Sequence, residues 1–74
     1  MERGPLIRIL EDMKGSDKEL NLVLMGQTGP IEIRNVVDVH PLRSTNGMMI
    51  TTRQNYIWLD AEHVSAAYQA RADI

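Results

Sequence analysis

Asp60, Glu62 and His63 fall within four residues of one another, just after the only Trp of the chain, in "NYIWLDAEHVSAAY". Two carboxylates and an imidazole are groups that hold a hard metal ion or relay protons. Their spacing argues against both uses. A paired-histidine metal motif needs two His four residues apart on one helix face. The two histidines here, His40 and His63, are twenty-three residues apart. An Asp at a tight corner has another role, closing the turn by accepting backbone N–H bonds. The corner is the favoured reading, with no metal, no cofactor and no catalytic residue expected. No Ser-His-Asp or Cys-His arrangement is available either, so an enzyme is not expected.

Basic residues offer a different chemistry. Arg43 lies in "PLRSTNG" beside Ser44, Thr45 and Asn46, a cation with hydrogen-bonding neighbours in a loop. Such a residue suits a phosphate oxygen, and repetition around an oligomer would build a positive collar. Arg53 is a further nucleic-acid candidate, whereas Arg34, between Glu32 and Asp38, suits cross-strand ion pairs instead. Tyr56 and Trp58 alternate onto one face of a strand, where they stack on bases, fill a core or line a subunit interface. "GQTGP" lacks the Lys-Ser/Thr ending and the following helix of a phosphate loop. Met25, Met48 and Met49 read as packing filler.

The elements that must position these residues follow from periodicity. Leu6, Ile9, Leu10 and Met13 share one helical face, with Pro5 at the expected first position and Gly15 after the end. A helix over about 5–14 is predicted. Leu20, Leu22 and Leu24 then alternate as a strand over 20–25, and residues 26–30 form a turn. In the run 31–40, Ile31, Ile33, Val37 and Val39 share one face and Glu32, Arg34, Asp38 and His40 the other. So long a strand must bend, and polar Asn35 on the apolar side marks the place for a bulge. Further strands are expected at 48–53 and 55–59, joined by a tight turn that lacks Gly. Residues 64–69 fit a strand or a helix equally, and 70–74 form a tail. A helix followed by five short, strongly bent antiparallel strands predicts a mainly β fold that closes into a small SH3-like barrel.

Seventy-four residues make a single domain, residues 1–74, with a thin margin of stability. No Cys is present, so disulfides and thiolate metal sites are excluded and self-association is the default way to add buried surface. The net charge of −2 removes the global basic footprint of a nucleic-acid binder. The first thirteen residues carry five charges, unlike a signal peptide, and no apolar run approaches the ~20 residues of a membrane span, so a cytoplasmic location without membrane contact is expected.

The segments "PLIRILEDMK", "LNLVLMGQTG", "GPIEIRNVVDVH" and "NYIWLDAEHVSAAYQ" together resemble the Sm-like and Hfq-like family of small ring-forming barrels, of the bacterial or phage type. They cover roughly residues 5 to 69 in the family's order of helix, first strand and turn, long bent strand, and closing corner. Ile31, Ile33, Val36 and Val39 stand at its apolar positions. The chain differs in having Arg34 where the bent strand usually carries Gly, and His40 where an acid precedes the RNA-facing loop. At the corner Glu62 matches the family histidine, with His63 one place later. The resemblance implies a homo-oligomeric ring of about five to seven subunits. It also implies single-stranded RNA contacts at Arg43, Asn46, Tyr56 and His63, and subunit contacts at Ile57, Trp58, Val64 and Tyr68. The alternative is an oligomer of the same fold with a structural or protein-binding role and no RNA; a metal-assisted enzyme at the corner is the third reading.

Overall fold

Leu6, Leu10 and Met13 recur at helical spacing, and in the computed structural model, which describes residues 1–71, all three are buried. Leu6 and Leu10 belong to α1, Arg3–Asp12, and Met13 caps its end, with Ile7 and Ile9 packed at the margin of the core. The helix starts two residues before the expected Pro5. Pro5 is therefore its third residue, still within the first turn, where a missing N–H breaks no helical bond. Past the end, Gly15 takes φ 75°, the left-handed conformation expected of it.

Two three-stranded antiparallel sheets follow instead of one closed barrel, with six strands among the described residues instead of five. β1 (Glu19–Leu24) is the centre of the first sheet, between β2 (Ile31–Arg34) and β6 (Val64–Tyr68). β4 (Gly47–Thr52) is the centre of the second, between β3 (Val36–Pro41) and β5 (Tyr56–Asp60). The extra strand comes from the expected run 31–40, which Asn35 divides. Asn35 has φ 57°, a left-handed value that ends the β2 ladder and sends the chain into the other sheet. The break shifts the facing of the next residues: Val36 and Val39 are buried, whereas Val37, expected on the apolar side, is exposed at a register shift between Val36 and Asp38. Residues 64–69, open between strand and helix, are strand up to Tyr68. Of the expected tail, Ala70 and Arg71 lie outside any strand or helix, and 72–74 fall outside the described residues.

One core serves both sheets and the helix. Leu20 and Leu22, Ile33, Val36 and Val39, Met48 and Ile50, Ala61 and Val64 meet Leu6, Leu10 and Met13 there. Helix α1 packs on β3 and on the turn after β5. No helix among the described residues is long and apolar enough to cross a membrane.

Candidate functional site

The corner is built around Asp60. Its extended backbone ends β5, and its Oδ1 accepts the Glu62 N–H at 2.9 Å, which caps a single 3-10 turn, Ala61–His63. That carboxylate oxygen is used in holding the turn, the role expected of a corner residue. No three His, Cys, Asp or Glu side chains converge into a metal-binding group among the described residues.

Loop 42–46 is tied to this corner. The Asn46 carbonyl accepts the Ala61 N–H at 2.8 Å, and the Asn46 amide donates to Glu62 Oε2 at 3.2 Å. Ser44 Oγ accepts the Gly47 N–H at 3.0 Å, so a side chain at position 47 would overlap that hydroxyl. From the start of α1, Arg3 Nη1 donates to the carbonyls of Leu42 and Gly47, each at 3.1 Å, and of Ser44 at 2.5 Å. Arg3 thereby fixes the loop that carries Arg43. The structure brings Arg43, Asn46 and the corner with Glu62 and His63 to one end of the fold. Arg43 is exposed and makes no hydrogen bond or ion pair among the described residues. Tyr56 is not part of that group. It begins β5, whose other end is Asp60, which puts it about 13 Å from the corner at a strand rise near 3.3 Å per residue.

The residues expected at subunit contacts separate by face. Ile57 points inward and is half-buried, Trp58 and Tyr68 point outward, and Val64 is 1% exposed within the core. Val64 has only its backbone to offer a neighbour, because its side chain closes the subunit's own core. All three aromatic residues of the chain are outside: Tyr56 at 68% exposure, Trp58 at 63% and Tyr68 at 51%. The Tyr56 and Trp58 rings lie 6.2 Å apart between centroids, tilted by 36°. Met49 is half-buried opposite Trp58, but Met25 is 60% exposed in a turn, so the filler expected there fills nothing.

Charged side chains elsewhere pair across strands. Arg34 meets Glu19 across the β1–β2 register, and that hydrogen bond and charge raise the Arg34 pKa further. Asp38 accepts from Lys14 at 3.1 Å and lies 3.0 Å from His40 Nε2. The Lys14 bond, then the Val39 N–H, hold its carboxyl below the ordinary Asp value. At the end of the fold away from the corner, Arg53 and Asn35 line an open groove of about 440 Å³ with residues of the α1–β1 connection.

Sequence reasoning missed Arg3 and Thr52. Thr52 Oγ1 accepts the N–H groups of Gln54 and Asn55, at 3.2 and 2.9 Å, and so closes the Gly-free β4–β5 turn. A Thr leading into a polar triplet is a recognisable turn signal. Arg3 gives none, since its acceptors lie about forty residues away.

Comparison of the chain with protein-family models, with curated proteins and with solved structures finds no match.

Proposed function

We propose that the chain is an Sm-like self-assembling module: β5 of one copy pairs with β6 of the next to close a homo-oligomeric ring, which binds single-stranded RNA weakly through Arg43. The observation that carries this reading is the strand order. β5 and β6 are outer strands of different sheets, as are β2 and β3, which Asn35 joins directly; the β5 and β6 edges are thus two unlike edges with backbone N–H and C=O groups to satisfy. Joining unlike edges head to tail generates a cycle when the rotation closes. The division of the bent strand between two sheets also suits the small bent-barrel architecture that the sequence resembles.

Arg43 supports the RNA component, as an exposed cation on a loop braced by Arg3 and Asn46. One Arg per subunit gives affinity only through repetition around the ring, and each phosphate contact releases counterions. The net charge of −2 and the placement of Asn46 against Glu62 favour a second reading, the same ring with a structural or protein-binding role. No reaction is assigned to the corner.

Light scattering on the purified chain tests the ring, with a discrete multiple of about five to seven subunits expected; a folded monomer at micromolar concentration overturns it. Fluorescence anisotropy with labelled oligo-U and oligo-A at low salt tests the RNA component. Binding that weakens steeply with salt and is lost in Arg43→Ala supports it. Absence of binding, or equal binding by Arg43→Ala, leaves the structural ring.

A further inference from the structure

The three aromatic side chains are not spread at random over the surface. Tyr56 and Trp58 lie on β5 and Tyr68 on β6, each the outer strand of its sheet. A 74-residue domain with a marginal core places none of its aromatic rings inside, although such rings contribute more buried area than any other side chain. Their immediate outward neighbours are uncharged: Thr51 stands opposite Tyr56 and Met49 opposite Trp58, while Tyr68 has Ala66 two residues before it and Asn21 across the ladder; Asp60 follows at the end of β5, and Asp38 and His40 lie one strand further, on β3. A neighbourhood rich in Tyr, Trp and Met fits a protein contact, and these immediate neighbours include no Lys or Arg for a phosphate backbone.

We infer that the Tyr56–Trp58 face is the docking surface for Tyr68 of a second copy, so that each joint carries an aromatic cluster that neither subunit has alone. The inference rests on the proposed β5–β6 joint and deepens it. In a continuous sheet, inward residues must stay on the core side, which permits only pairings that keep alternate residues in phase. Ile57, Leu59 and Ala67 pack toward the core, so Tyr56, Trp58, Ala66 and Tyr68 share the opposite face. In the registers that keep this phase and pair Tyr68 with the body of β5, it falls directly opposite Tyr56 or Trp58 and diagonal to the other. Both positions are within reach of an aromatic ring. Met49 then closes the cluster from β4.

The single Trp makes the joint readable. A dilution series of the full chain is followed by light scattering and by Trp58 emission with acrylamide quenching. The expected result is a blue shift and reduced quenching in step with assembly. Tyr68→Ala, at an exposed site that keeps the fold by circular dichroism, should raise the assembly midpoint about tenfold, and Tyr68→Phe should restore it. Assembly with Trp58 still freely quenched, or normal assembly of Tyr68→Ala, overturns the aromatic joint and leaves the ring standing. A chain monomeric at every concentration removes both. Quenching of Trp58 by oligo-U on the dispersed subunit assigns the face to bases and overturns the inference as well.

Discussion

Thr52 shows how one hydroxyl replaces a glycine. Its Oγ1 accepts two N–H groups of the β4–β5 turn while its backbone N–H donates to the Asn55 carbonyl at 2.8 Å. Thr52→Val keeps the shape and leaves both turn donors without that acceptor; we predict a loss of about 1 kcal/mol in urea unfolding, and an unchanged midpoint would count against this role. Asp38 yields a pH prediction. Its folded pKa lies below the ordinary 3.8, chiefly through Lys14, so ionised Asp38 stabilises the fold above that value, and the contribution is lost as pH falls through the lowered pKa. A carboxyl NMR titration should place its midpoint below 3.8 and move it upward in Lys14→Met; identical curves would refute the coupling. The Asp60 cap was legible because Asp, corner and N–H donor lie within two residues of one another. The Arg3 contacts were not, because nothing near Arg3 encodes carbonyls brought close only by the finished fold.

The helix, the turns and most of the strands could be read from period and punctuation, because each signal is local. The expected strands at 20–25, 48–53 and 55–59 lie within one residue at either end of β1, β4 and β5, and the segment 64–69, open between strand and helix, became β6. The long strand was legible as bent but not as broken. A bulge and a left-handed break both call for a small polar residue on the apolar side, and Asn35 satisfies either. The break has its own prediction. Asn35→Val places a β-branched residue at φ 57° and should cost about 1–2 kcal/mol, whereas Asn35→Gly should fold at least as well. Equal stability of wild type and Asn35→Val in chemical denaturation would mean that the junction relaxes to an ordinary strand.

Closure was the global expectation that failed, for a reason no window of sequence reveals. After β5 the 3-10 turn carries the chain to the first sheet, where β6 pairs with β1 and leaves β5 with β4 as its one neighbour. Whether a last strand pairs with its predecessor or with a distant one is decided by the packing of Ala61 and Val64 into the shared core. The same strand order also sets a timetable for folding. β1–β2, β3–β4 and β4–β5 are local hairpins that need only short loops to close, while β6 joins the first sheet through contacts such as Leu24 with Val64, forty residues apart. Loop-closure entropy makes the distant pairing the slower one. Pulse-labelling hydrogen exchange during refolding should therefore protect amides of β4 before those of β6, and simultaneous protection would refute the order. A growing chain meets the same constraint, since β6 is synthesised after β3, β4 and β5.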